Sequence, residues 1–102
     1  MIQKNTILIC GRLGKNPELK YTKNQEAVCV FTVAENIDQQ DKPNWHRVIV
    51  WGRQAESCSV HLKKGSSVFV QGRNFEKEFT NNEGIKKKYI ELKAESIGIS
   101  LD

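Results

Sequence analysis

The chain has 102 residues, 38% hydrophobic and 27% charged, which suffices for one small domain spanning residues 1–102 and leaves no room for a second. Lys and Arg number 16 against 12 Asp and Glu, a formal charge of +4 that is compatible with a polyanionic partner and does not by itself establish one. No basic start precedes an apolar run, no stretch approaches the roughly 18 apolar residues of a membrane span, and Cys10, Cys29 and Cys58 lack metal or disulfide spacing. A cytoplasmic chain with reduced thiols, no cofactor, no metal and no membrane partner is therefore expected.

Apolar and polar residues alternate through most of the sequence, the period of half-buried strands. A first strand is expected at Thr6 to Leu13, followed by the turn "GKNPE". It carries Ile7, Ile9 and Leu13 on one face and Thr6, Leu8, Cys10 and Arg12 on the other, so Leu8 needs cover from elsewhere. A second strand, "AVCVFTVAENI", covers Ala27 to Ile37, and the loop "DQQDKPN" leads by a hairpin into a third, Trp45 to Trp51. "GRQAESCSVHLKKGS" changes period: Ala55, Cys58 and Leu62 fall at helical spacing, with Lys63 and Lys64 in the last turn and Gly65 as the C-terminal cap. One short helix is expected, about Arg53 to Lys64. A fourth strand follows at Ser67 to Thr80, then the turn "NNEG", then a fifth from "KKKYIELKAESIGISL".

Five strands with a helix between the third and fourth are the order of an all-β OB-fold, a partly open Greek-key barrel that binds oligonucleotides or oligosaccharides. The third strand shows where such a surface would lie. Trp45, Arg47, Ile49 and Trp51 share one side, and His46, Val48 and Val50 the other. Burying Arg47 unpaired would be costly, whereas Val48 and Val50 suit a barrel interior, so the tryptophans face outward. At about 3.3 Å per residue they stand roughly 20 Å apart. Rings for bases and cations for phosphates are what a sequence-tolerant single-strand binder needs; the alternative is that a ring is covered by a loop or a second subunit. The surrounding cations are Arg53 beyond Gly52, Arg12 and Lys15 at the first turn, Lys20 and Lys23 after it, Lys63 and Lys64, and Arg73 and Lys77 on the fourth strand. The run Lys86 to Lys88 either extends a phosphate track or keeps a protruding hairpin soluble.

The succession "GRLGKNPELKYT", "AVCVFTVA", "WHRVIVWG", "LKKGSSVFVQGR" and "NNEGIKKKY" resembles the bacterial and mitochondrial single-stranded DNA-binding protein family over about residues 5 to 100. The resemblance implies single-stranded DNA as partner and a homo-oligomer, usually a tetramer with a dimer as the alternative, whose first strands pair between chains. It implies stacking on Trp45, on Trp51 where the family has an aromatic, and on Phe79 where it usually has tryptophan. Arg47, Arg53, Lys20 and Lys64 match basic positions that carry phosphate contacts. The departures are a short "DQQDKPN" loop, no further tryptophan in "ENIDQQ", and Glu76 and Glu78 beside Lys77, which together suggest a weaker or shorter site. The ending "SIGISLD" lacks the acidic tail that recruits replication and repair proteins, so tail-mediated recruitment is not expected: either the chain was cut or it is a short accessory, phage, plasmid or organelle-type member.

Catalysis is not expected. His46 lies on the inward side of its strand, where a packed, hydrogen-bonded imidazole belongs, His61 reads as surface, and no nucleophile converges with paired carboxylates. The rival reading is a primosome-type accessory of the same fold that acts mainly through protein contacts in replication restart.

Overall fold

The computed structural model describes residues 6–36 and 41–100. Among these residues the order is β1 (Thr6–Leu13), β2 (Glu18–Tyr21), β3 (Ala27–Glu35), β4 (Asn44–Trp51), α1 (Arg53–His61), β5 (Ser67–Thr80) and β6 (Lys86–Ile99). The sheet runs β1-β5-β6-β4-β3-β2 and is closed by a further β1–β3 pairing at Arg12↔Ala34 and Leu13↔Val33. This is an OB-fold barrel of five strands, with β2 added at the free edge of β3 and the helix between β4 and β5.

Strand alternation builds the interior. Ile9 and Leu13 from β1, Cys29, Phe31 and Val33 from β3, Val48 and Val50 from β4, Val68 and Val70 from β5 and Leu92 from β6 are all buried. The helix closes the barrel with Ala55 and Cys58. At about 25 cal/mol per Å² of apolar surface, burial on this parity makes a one-residue slip of any central strand prohibitive.

Glu18–Tyr21 is a further strand that the alternation does not predict, antiparallel to β3 with Leu19 opposite Cys29. Leu19 is its one aliphatic side chain on the core side, too little periodicity to read beside Pro17. The helix ends at His61, three residues before Lys64. Leu62 must turn into the core, and it does so with extended backbone (φ −104°, ψ 149°), so Lys63 and Lys64 enter a turn in which Gly65 takes φ 88°. Gly65 is thus a turn residue, not the helix cap. The strand expected to end at Ile37 ends at Glu35, with Ile37 itself outside the described residues; β4 begins one residue early at Asn44, and β6 stops at Ile99. The Ser67–Thr80 strand lies where the sequence places it.

The three thiols are free and differ in environment: Cys10 is exposed while Cys29 and Cys58 are buried. Burial pushes both inner thiols up, Cys58 to about 11 with a further contribution from Cys29. A thiol that holds its proton more tightly when folded contributes stability that is whole below the unfolded value, near 9, and is lost as pH rises through about 11. Accordingly, a thiol reagent should reach Cys29 and Cys58 only after urea, and urea midpoints should fall between those two pH values. Prompt labelling of Cys58 in the native protein would contradict this packing.

Candidate nucleic-acid interface

The parity that buries Val48 and Val50 turns Trp45, Arg47, Ile49 and Trp51 outward, as the sequence requires. Trp45 is 59% exposed and Trp51 37%. His46 points the other way, half-buried, with Nε2 at 3.0 Å from Glu35 Oε1. The Trp45 ring lies against Gly14, whose amide donates to the Thr32 carbonyl; a Cβ at Gly14 would overlap the ring. So the "GKNPE" turn supports the indole from beneath. At the other end of β4, Gly52 adopts φ 73° with open space where a Cβ would stand, so a left-handed backbone rather than crowding calls for glycine there. This kink starts α1 at Arg53, at a helix end where a cation gains nothing from the macrodipole.

Register carries the face across the sheet. In the parallel β4–β6 pairing Arg47 lies opposite Glu91 and Ile49 opposite Lys93. In the β5–β6 hairpin Arg73 faces Lys93, Phe75 faces Glu91, Lys77 faces Tyr89 and Phe79 faces Lys87. Trp45, Trp51, Phe75, Phe79 and Tyr89 therefore share one outward surface with Arg47, Arg73, Lys77, Lys87 and Lys93. On the far side of β4, Val28 pairs with both Trp51 and Lys20, which brings Lys20 to the same face. Phe79 and Tyr89 are in contact, centroids 5.8 Å apart and planes 60° to each other, and the Arg47 guanidinium carbon is 5.8 Å from the Tyr89 centroid.

The sequence reading missed four residues of this surface. Phe75 shares the parity of Arg73, Lys77 and Phe79 and was legible from alternation alone. Tyr89, Glu91 and Lys93 required the hairpin register. Glu91 matters most: it is buried, at 6% exposure, and its Oε2 accepts a hydrogen bond from Arg47 Nε at 3.0 Å. Arg47 is thus paired within the chain while remaining half exposed. Arg73 and Lys93 are like charges directly opposite, an arrangement that costs stability, and Arg73 Nε is buried without a hydrogen-bond partner. An anion at that point would relieve both.

The other expected cations gather at the turn end of the barrel. Arg12 Nη1 donates to the Gly65 carbonyl at 3.0 Å, and the Lys64 amide donates to Asn16 Oδ1 at 2.7 Å, so these two positions hold loops together. Lys15 lines a polar groove with Asn16, Lys20, Thr32 and Arg47, which connects this end to the aromatic face. Glu76 and Glu78, expected to weaken the hairpin's contacts, point to its opposite side from Lys77, where Glu76 pairs with Lys88 at 3.2 Å. No group of three His, Cys, Asp or Glu able to hold a metal occurs among the described residues.

A model of the Single-strand binding protein family matches residues 4–100. Among curated relatives, the chain is similar to Single-stranded DNA-binding protein of Halalkalibacterium halodurans, 40% identical over 98 residues that cover 91% of this chain and 58% of that protein. Single-stranded DNA-binding protein A of Bacillus subtilis is 37% identical over 98 residues, covering 91% of this chain and 57% of its own length. Single-stranded DNA-binding protein 1 of Chlorobaculum tepidum is 34% identical over 92 residues, covering 83% and 57%. The chain thus spans a little over half the length of these relatives.

Arg47→Met leaves the Glu91 carboxylate buried and unpaired and should lower stability by about 1–3 kcal/mol. Adding Glu91→Leu removes the stranded charge and should restore most of that loss. Urea denaturation of the single and double variants measures both; a single variant as stable as the parent would show the pair to be without weight.

Proposed function

This chain belongs to the Single-strand binding protein family, and on that premise we propose that it binds single-stranded DNA across the outward face of β4, β6 and β5. The observation that carries the reading is the interleaving itself: exposed rings at Trp45, Trp51, Phe75 and Phe79 alternate with cations on one continuous sheet surface. Every base has a π-face, so stacking on such rings tolerates sequence, at about 1–3 kcal/mol per base. Arg73, Lys77, Lys93 and Lys20 neutralise phosphates along the strand; Arg47 adds to them at the centre, and Arg53, Lys15, Lys64 and Arg12 extend the track past the ends of β4. Each neutralised phosphate releases counterions, so affinity falls as salt rises, by about 0.7 in the log–log slope per contact on single strands. The chain acts as one binding domain, and its task in the bacterial cytoplasm is to cover and organise single strands exposed in replication, recombination or repair.

The working form in this reading is a homo-oligomer, most simply a tetramer. Leu8 is 62% exposed on the outside of β1, as expected for a residue needing cover. Among the described residues, Thr6 to Gly11 are paired on the β5 edge only, because β3 takes up β1 from Arg12 onward. An apolar strand with a free edge is a template for a second copy. Light scattering should return four times the chain's mass, and Leu8→Glu should lower that number; a monomer in both cases would exclude this assembly.

Titration with oligo-dT while following tryptophan emission, at several salt concentrations and against a duplex of the same length, tests the binding. Quenching, a negative salt slope and preference for the single strand are expected. Trp45→Ala and Phe75→Ala should each weaken binding by about 1–3 kcal/mol with the urea midpoint little changed. Unchanged emission, or tighter binding to duplex, would defeat the proposal.

A further inference from the structure

One row of the outward surface crosses four strands: register sets Thr6 of β1 beside Arg73 of β5, Arg73 beside Lys93 of β6, and Lys93 beside Ile49 of β4. Two cations thus stand directly opposite each other, with Cβ atoms about 5 Å apart, where a sheet ordinarily places opposite charges. Nothing in the described chain compensates them. Neither takes part in an ion pair with a described residue, since Glu91 is held by Arg47 and Glu76 by Lys88. Arg73 Nε is out of contact with water and has no hydrogen-bond partner. Both head groups line an open groove of about 240 Å³ with Phe75 and Glu95, and Phe75, Lys93 and Glu95 are exposed there, so an ion can enter.

We infer that Arg73 and Lys93 together form a phosphate site, which takes a tetrahedral oxyanion without help from the stacking rings. An anion between two like charges is attracted by both and removes their mutual repulsion. A guanidinium with one N–H already cut off from water has less hydration to give up, and its forked donors suit phosphate oxygens, while the ammonium brings three more donors from the facing strand. Chloride has one centre and cannot span the two head groups in this way. Glu95, at the edge of the groove, opposes the anion and sets a limit on its affinity. The phosphate group can come from the backbone of a bound strand or from free phosphate, and the chemistry of the site is the same for both. This deepens the reading of the face as a single-strand site, and its strand arm rests on that reading: affinity for a single strand then depends on which anion is present as well as on ionic strength.

The test compares sodium phosphate with sodium chloride at equal ionic strength and pH. The urea midpoint of the parent protein, without nucleic acid, should rise saturably with phosphate, by about 0.5–1 M once phosphate is about tenfold above its dissociation constant. Arg73→Met and Lys93→Met should each abolish the rise, with a midpoint in chloride at or above that of the parent because the like-charge pair is gone; Glu95→Gln should reach the rise at lower phosphate. Equal midpoints of the parent in the two salts, or a rise that survives both substitutions, would overturn the proposal. Oligo-dT titrations in the same buffers separate the two sources. If a backbone phosphate occupies the site, free phosphate should weaken oligo-dT binding to the parent by the same factor as Arg73→Met does in chloride; a rise in midpoint without such competition assigns the site to free phosphate alone. Failure to bind oligo-dT in either buffer would defeat the reading of the face as a single-strand site while leaving the phosphate effect on stability in place.

Discussion

A closed barrel can bury only one parity of each strand, and on β4 the choice lies between Val48 with Val50 and Arg47 with its neighbours. Sealing Arg47 inside would leave a guanidinium away from water, at a cost of several kcal/mol that no packing of Trp45 or Trp51 could offset. The valines go in, and both indoles are committed to the surface. From that commitment the rest follows by register. Pairing of β4 with β6 fixes Arg47 against Glu91, and pairing of β6 with β5 then places Phe75, Lys77 and Phe79 on the same side. A one-residue slip in either ladder would bury the rings and expose the core at once.

The electrostatics of this face are finer than a net charge of +4 suggests. The hairpin's two acids, Glu76 and Glu78, are turned away from the rings, where Glu76 is matched by Lys88, so the aromatic side of the hairpin keeps Lys77, Lys87 and Lys93. Glu91 alone stands among the rings, paired with an Arg47 that remains half exposed. Such a pair is of little use as a stabilising device, since an apolar pair of like volume would serve as well.

How much of this was legible in the sequence depended on range. Alternation is local, so the inward and outward sets of β3, β4 and β5 could be read directly, and Arg47 decided the orientation of both tryptophans. The same rule applied to β5 would have added Phe75 and turned Glu76 and Glu78 away from Lys77. Glu91 was beyond reach because its partner lies on a parallel strand far along the chain, and nothing short of the β4–β6 register brings them together. Arg12 also donates to the Gly65 carbonyl and the Lys64 amide to Asn16, contacts between loops that only the loop path reveals. The helix end failed for a related reason: Leu62 satisfies helical spacing, but reaching the core required it to leave the helix.

The central claim is that nucleic acid meets the outward rings of β4, β5 and β6 and not the helix side of the barrel. Photocrosslinking with a single-stranded oligonucleotide carrying 5-iodouracil, followed by peptide mapping, addresses this directly because crosslinks form to aromatic side chains in contact with the base. Adducts at Trp45, Trp51, Phe75, Phe79 or Tyr89 are predicted. Adducts confined to Tyr21, whose hydroxyl donates to Glu56 of the helix, or an absence of crosslinks from a strand that binds, would contradict the account.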